Sequence, residues 1–575
     1  MLTVPGFKIS LPIYESTNSV VFRGCQTKDN LPVILKFLKQ DYPTPDQITK
    51  YKQEYEITRS LNLESVVKAH NLQKYQNTLV MILEDFGGES LKHLTNSRKL
   101  TLLEFLQIAI KIASCLGEIH QKNIIHKDIN PSNIVFNPKI NRVKIIDFGI
   151  STALSRQNPT LKSPNVIEGT LAYMSPEQTG RMNRSLDYRT DFYSLGVTFY
   201  ELLTGRVPFN ATDALELVHC HIALTPTPPH KLNRKIPKAV SDIVMKLLAK
   251  TAEDRYQSAE GIKIDLQHCL TQLEKNNHIA PFTLGLGDIS DKFQIPEKLY
   301  GRKREIYTLL TAFDHTSQGN TAMMLVSGYS GIGKSSLVQE IYKPITQQRA
   351  YFISGKFDQF QRSVPYSAIV SAFQSLIGQL LTESEAQLNQ WKEKLLAAFG
   401  SNGQIIIDVI PEVELLVGKQ PAIQDLGPTE SQNRFNLVFQ NFIRVFCQRE
   451  HSLVIFLDDL QWADSATLNL MELMMTDEQT RYLLLIGAYR DNEVSPIHPL
   501  MMTLDVLHRQ GAIINQITLA PLELEHITHL IADTLHSGSS TVKPLAELVV
   551  RKTQGNPFFV NQFLKTLYQE NLLTF

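Results

Sequence analysis

Cysteine is scarce: Cys25, Cys115, Cys220, Cys269 and Cys447 are spread over 575 residues, and no two form a C-x-x-C pair. That scarcity argues against a disulfide framework or a zinc site and fits a reducing cytoplasm. Net charge is also absent, because Lys plus Arg and Asp plus Glu both number 57. The overall charge therefore gives no reason to expect nucleic acid or an anionic membrane as a partner. No apolar run approaches the ~18 residues that a membrane helix needs. The opening MLTVPGFKIS lacks a basic region followed by an apolar core. No internal repeat or low-complexity tract is present. What remains is an ordinary soluble, intracellular composition, 43% apolar and 20% charged, long enough for roughly two to four domains with their own cores.

Residues 7–9, 19–23 and 32–37 alternate and turn like a short antiparallel sheet, and a helix is expected over 48–61. From Leu103, apolar Leu106, Ile110, Ala113 and Leu116 recur at helical spacing, and 190–203 and 240–248 also read as helices. Periodicity fades over 271–297, where Pro281, Gly285, Gly287 and Pro296 suggest a linker. Beyond it, strand-like runs at 323–326, 350–353, 453–457 and 482–486 alternate with helical stretches, as in a three-layer α/β domain with a parallel sheet. After about residue 520 the pattern is helical.

Phosphoryl transfer needs a group to place the hydroxyl nucleophile, metal on the phosphates and a cation on the nucleotide. His126-Lys127-Asp128, Asn133 and Asp147-Phe148-Gly149 supply candidates at the right spacing. Asp128 would accept or orient the substrate proton, and Asn133 and Asp147 would ligate Mg²⁺. Lys36, ending the third strand, would grip the α and β phosphates of ATP, held by an ion pair from Glu54. In this order the residues resemble a protein kinase domain of the bacterial Ser/Thr type, placed over 1–270. The resemblance implies an α+β bilobal fold, with Ser16, Ser19 and Val21 in the loop over the nucleotide. It also puts Gly169-Thr170 and Tyr173-Met174-Ser175-Pro176-Glu177 in the substrate-positioning and A-P-E segments, makes Asp191 the brace of the catalytic loop and pairs Arg255 with Glu177. Ser163 and Thr170 become candidate loop acceptors.

Three departures from that family stand out. The three glycines of the phosphate loop are missing, which predicts a weaker or reshaped nucleotide grip. Lys127 replaces the arginine of H-R-D, so a phosphorylated loop would lose its bidentate partner. Asn130 replaces a lysine near the γ-phosphate. They keep open the alternative of a pseudokinase-ATPase scaffold that binds ATP and partners without phosphotransfer.

A second motif, Gly328-Tyr-Ser-Gly331-Ile-Gly333-Lys334-Ser335, lies between an apolar strand and a helix. Its backbone N–H groups and the helix start would cradle phosphate, Lys334 would reach the β and γ oxygens and Ser335 would ligate Mg²⁺, with Ser336 beside it. Residues 453–457 run into Asp458, placed near the metal, and Asp459, placed to polarise the attacking water. Arg490 ends the next strand as a candidate γ-phosphate sensor. Residues 298–575 resemble AAA-type signal-transducing ATPases of the STAND kind, with a core over 298–520 and a helical lid over 521–575. The resemblance reads Tyr300-Gly301-Arg302 as the adenine-side entry and Gly555-Asn556-Pro557 as the G-x-P motif whose Pro557 nears the base. It implies slow hydrolysis and an ADP-closed, ATP-open switch. Extra helices are expected between Lys334 and Asp458.

The whole chain is thus expected to be multidomain, a bilobal kinase fold followed by an α/β P-loop ATPase with a parallel sheet and a C-terminal helical lid. This resembles the N-terminal portion of large hybrid Ser/Thr-histidine sensor kinases, and a truncated product, a fragment or a short stand-alone relative is expected. The function implied is a Ser/Thr protein kinase in bacterial signalling, regulated by the ATPase, with ATP and Mg²⁺ as cofactors. Partners implied are a Ser/Thr acceptor protein, a downstream histidine kinase or sensor, and other copies of itself in a nucleotide-dependent way. Nucleic acid and membrane are not expected.

Overall fold

Val33, Leu35 and Phe37 send their side chains into one small core, while Lys36 points to the opposite face of the same strand. That strand, β3 (Pro32–Leu38), is the centre of an antiparallel sheet ordered β1-β2-β3-β5-β4, with β1 Phe7–Glu15, β2 Ser19–Gln26, β4 Ala69–Tyr75 and β5 Thr78–Glu84. The computed structural model describes residues 4–15, 19–40, 43–153, 170–179, 186–211, 214–288, 293–341, 344–345, 350–359, 365–381, 385–424 and 426–573. Two units divide the chain, 1–212 with 224–291 and 213–223 with 292–575. Ser16, Ser163 and Gly169 lie outside the described residues.

Helix α1 (Pro45–Leu61) starts three residues before the expected position, because Thr44 and Gln47 form a capping box and Pro45 occupies the first turn. Its buried stripe is Tyr51, Glu54, Tyr55, Thr58 and Leu61, so a glutamate occupies a core-facing position. Helix α2 (Leu102–Gln121), also opened by a capping box, buries Leu106, Ala113 and Leu116. It packs against α3 (Arg189–Thr204) and the last long helix of the unit, α5 (Ala259–Asn276). Helix α4 (Lys238–Leu247) approaches α3 closely at Gly196, where a Cβ would come within 2.8 Å of Leu247.

The stretch expected as a linker begins inside α5, which ends only at Asn277 in a left-handed cap. Beyond it the chain folds back on the same helix. Phe282 packs edge-on against His268 with ring centres 4.5 Å apart. The Asp288 carboxylate accepts the Gln257 and Ser258 N–H groups at 2.8 and 2.9 Å, capping the helix start. Over 277–288, Pro and Gly punctuation marks irregular backbone packed on its own unit, while the division between the two units, after residue 291, falls inside the expected 271–297.

Two further strands of the first unit, β6 (Ile134–Asn137) and β7 (Arg142–Ile145), pair antiparallel. In the second unit β8 (Thr321–Ser327), β9 (Tyr351–Lys356), β10 (Leu453–Asp458), β11 (Leu483–Tyr489) and β12 (Ile514–Thr518) form a parallel sheet ordered β9-β10-β11-β8-β12. Alternate residues enter two cores: Met323, Leu325, Ile455 and Leu485 on one face, Met324, Val326, Phe456 and Ile486 on the other. Burial of both faces explains why these strands read as continuous apolar runs. The helices between Lys334 and Asp458 cover the first face with Phe373, Phe439, Phe442 and Phe446. The edge strand β12 was not evident in the sequence, since Asn515 and Gln516 interrupt it. Helices Leu524–Leu535, Ser539–Thr553 and Pro557–Gln569 close the unit around a separate small core. Among the described residues no helix is long and apolar enough to cross a membrane.

Candidate functional sites

In the first unit β3 and α1 bring Lys36 Nζ to 2.7 Å from Glu54 Oε1, and Asp147 Oδ1 lies 3.1 Å from the same ammonium. Val21 is in register with Lys36 on the neighbouring strand, and Ser19 is buried. Burial opposes the charge on Lys36, but the carboxylates of Asp147 and Glu54 outweigh it and hold the ammonium above the ordinary lysine value. Burial pushes the Glu54 carboxyl up to about 7, against the pull of Lys36.

That value gives a pH prediction. As the pH falls through about 7, Glu54 takes up a proton and the ion pair is lost, so any phosphotransfer by this site should decline on the acid side. A Glu54→Gln protein should show no such limb in its pH–rate profile. The sign for stability is opposite: the folded value exceeds the 4.5 of a free glutamate, so this contribution to folding is complete below 4.5 and is lost as pH rises through about 7.

Asp191, fully buried on α3, accepts the His126 N–H at 2.9 Å, the Lys127 N–H at 2.7 Å and pairs with His120 Nε2 at 2.8 Å. It thereby holds the loop in which Lys127 takes φ +69°. Asp128 follows, its Oδ2 accepting Asn133 Nδ2 at 2.9 Å and its Oδ1 the Thr170 N–H at 3.1 Å. Asn130 does not substitute for the missing lysine. Its Oδ1 accepts the Ser132 N–H at 2.9 Å, so it shapes the turn between Asp128 and Asn133. The Lys127 ammonium donates to the Thr152 hydroxyl. Asp147 adopts φ +67°, and Phe148 is buried edge-on against His126.

Glu177 and Arg255 form a buried bidentate pair at 2.6 and 2.8 Å. Arg255 also donates to the carbonyls of Ala249, Arg189 and Lys250. Arg255→Met would leave the Glu177 carboxylate buried without its cation and should destabilise this unit by about 3–5 kcal/mol, read as a lowered midpoint in urea denaturation.

In the second unit Gly331 and Gly333 turn the loop through φ +76° and +99°. The Lys334 ammonium donates to the carbonyls of Gly328 at 2.8 Å and Tyr329 at 3.1 Å, and burial lowers its pKa. Ser335 Oγ lies 3.0 Å from Asp458 Oδ2. Burial, then the neighbouring Asp459, raises the Asp458 pKa. Asp459 takes φ +57° and accepts Gln461 Nε2 at 2.9 Å, with Arg490 Nε at 3.3 Å. Arg490 also pairs with Glu493 at 2.8 Å and lies over the Trp462 ring.

These side chains surround a cavity of about 370 Å³ that Gly331, Gly333, Ser336 and Pro557 also line. Gly328 is not among its lining residues; it serves as the turn whose carbonyl receives Lys334. The final helix docks on the loop, with Asn556 Nδ2 donating to the Ser330 carbonyl at 2.9 Å. Gly555 is required by close approach, since a Cβ there would fall 2.3 Å from the Leu522 carbonyl oxygen. Tyr300 and Arg302 tie the entry segment down, the hydroxyl to Asp533 at 2.7 Å and the guanidinium to the Ala520 carbonyl at 2.5 Å.

Sequence reasoning missed Lys356, Phe558 and Asn561 in the cavity wall. Asn561 lies one turn beyond Pro557, and its buried Oδ1 has no hydrogen-bond partner among the described residues; only the helical offset could have singled it out. In both units the candidate ligands are hard oxygens, Asn133 and Asp147 in the first and Ser335 with Asp458, 3.0 Å apart, in the second, a set that fits Mg²⁺.

Residues 13–266 match the protein kinase domain family and residues 298–486 the AAA ATPase domain family. The hybrid signal transduction histidine kinase G of Dictyostelium discoideum is 32% identical over 82% of this chain and 18% of its own length. A probable serine/threonine-protein kinase of Clostridium acetobutylicum is 30% identical over 48% of this chain and 40% of its own. The serine/threonine-protein kinase PrkC of Bacillus subtilis is 31% identical over 41% of this chain and 36% of its own. The chain therefore spans well under half the length of each of these relatives.

Proposed function

For a chain that carries a protein kinase domain followed by an AAA ATPase domain, we propose ATP-dependent Ser/Thr phosphotransfer in signal transduction, governed by the nucleotide state of the ATPase. The observation that carries this reading is the joined Lys36–Glu54–Asp147 cluster, with Asp128 and Asn133 held by the neighbouring loop. Lys36 grips the α and β phosphates, with Ser19 and Val21 beside it. Asp128 orients the acceptor hydroxyl and takes up its proton as the phosphoryl group leaves ATP. Asn133 and Asp147 would hold Mg²⁺ here, and Ser335 and Asp458 would hold it in the ATPase cavity. Bound there, the ion neutralises phosphate charge.

In the ATPase, Lys334 and the loop N–H groups bind phosphate, Arg490 senses the terminal phosphate and Asp459 orients water for slow hydrolysis. Pro557 carries the nucleotide state to the lid. The acceptor is a protein Ser or Thr, with Thr170 a candidate within the chain itself. A histidine kinase or sensor downstream, bacterial signalling, cytoplasmic location and nucleotide-dependent self-association belong to the same proposal. The name of the Dictyostelium relative supports the histidine-kinase link.

The test is mass spectrometry of the chain and a generic Ser/Thr acceptor after incubation with Mg-ATP. New phosphosites are expected on both. Intact ATP binding by the first unit with no transfer would instead establish the scaffold reading.

A further inference from the structure

We infer that Lys356 is a second cation for the terminal phosphate of a nucleoside triphosphate in the ATPase cavity, and that it distinguishes triphosphate from diphosphate. The inference rests on the reading of that cavity as an ATP site.

Lys356 is the last residue of β9, in parallel register with Asp458 on the adjacent strand. Its backbone is fixed on both sides. Gly355 passes so close beneath helix Ser367–Leu380 that a Cβ would fall 1.9 Å from the Ala368 carbonyl oxygen. Phe357 is buried and donates its N–H to the Asp458 carbonyl at 3.1 Å. The lysine stem leaves from between these points, and its side chain lines the cavity together with Lys334 and Arg490.

The charge arrangement favours a role at the outer phosphate. Three cations, Lys334, Lys356 and Arg490, and two carboxylates, Asp458 and Asp459, line the cavity. Lys334 is buried against its own loop, where the inner phosphates belong. Arg490 is tethered by Glu493 and by the Trp462 ring. Lys356 is two-thirds exposed in its side chain and reaches the buried Asp459 Oδ2 at 3.4 Å, a longer contact than the 2.8 Å that ties Arg490 to Glu493. A terminal phosphate offers a denser charge within the reach of that stem. Movement of the ammonium to it would also uncover Oδ2 of Asp459, coupling recognition of the third phosphate to the release of the water-orienting carboxylate.

The test titrates the full chain by calorimetry with Mg-ADP and with the Mg complex of β,γ-imido-ATP. Lys334→Ala identifies which binding event belongs to this cavity. Lys356→Ala should weaken the triphosphate analogue there by about tenfold or more while ADP affinity stays within about twofold, and Lys356→Arg should restore most of the difference. Equal weakening of both ligands, or no change in either, overturns the inference and leaves the ATP site standing. If Lys334→Ala removes no binding event from the parent protein, the ATP-site reading itself fails, and the assignment of Lys356 with it.

Discussion

Asp128→Ala should lower phosphotransfer by about 100- to 10,000-fold while ATP affinity at the kinase site changes little. The carboxylate is held at both oxygens, by Asn133 Nδ2 at 2.9 Å and by the Thr170 N–H at 3.1 Å, so its direction is set before any acceptor arrives. Positioning of this kind is where most of the gain in phosphoryl transfer lies. Lys36, Glu54 and Asp147 form their own cluster, and for that reason nucleotide binding should survive. The measurement is incorporation of γ-phosphate into a generic acceptor, with calorimetric ATP affinity as the control. Equal transfer by the two proteins would falsify the assignment.

Lys334→Ala should reduce the nucleotide stoichiometry of the chain from two to one, with affinity at the lost site down by about 100-fold. The parent ammonium is buried, has its pKa lowered by that burial, and is satisfied by two loop carbonyls. An anion is a far stronger partner for such a group than a carbonyl. Gly331 and Gly333 supply the positive φ values of the loop and are unchanged by the substitution, so the loop should persist, with circular dichroism and the urea midpoint as the check that the loss reports on charge. Basal transfer by the first unit should continue. An unchanged stoichiometry in calorimetry would remove the ATPase cavity from the account.

Much of the fold is visible in the residues themselves. The order of Lys36, Glu54, Asp128, Asn133 and Asp147 identifies a bilobal kinase, and an apolar run ending in Asp458-Asp459 marks the strand of a nucleotide fold. The structure joins Lys36 to Glu54 and Asp147, Asn133 to Asp128, and Ser335 to Asp458. Other features are not local properties of sequence. Lys356 meets Asp459 through the register of parallel strands whose residues lie about a hundred positions apart, and parallel pairing leaves no turn signature between its partners. Residues 277–288 read as a linker because their contacts with α5 are irregular, through Phe282 and Asp288 rather than a periodic face. Asn130 reads as a lost charge, and that its carboxamide also shapes the turn is not visible in residue type.

Lys127, Asp147 and Asp459 all turn their backbones into the left-handed region, at φ +69°, +67° and +57°. For a residue with a Cβ this handedness is unfavourable by roughly 1–2 kcal/mol. Glycine would sit more comfortably at each position, yet would forfeit a charged side chain. Durability and chemistry thus select opposite residues at these three points.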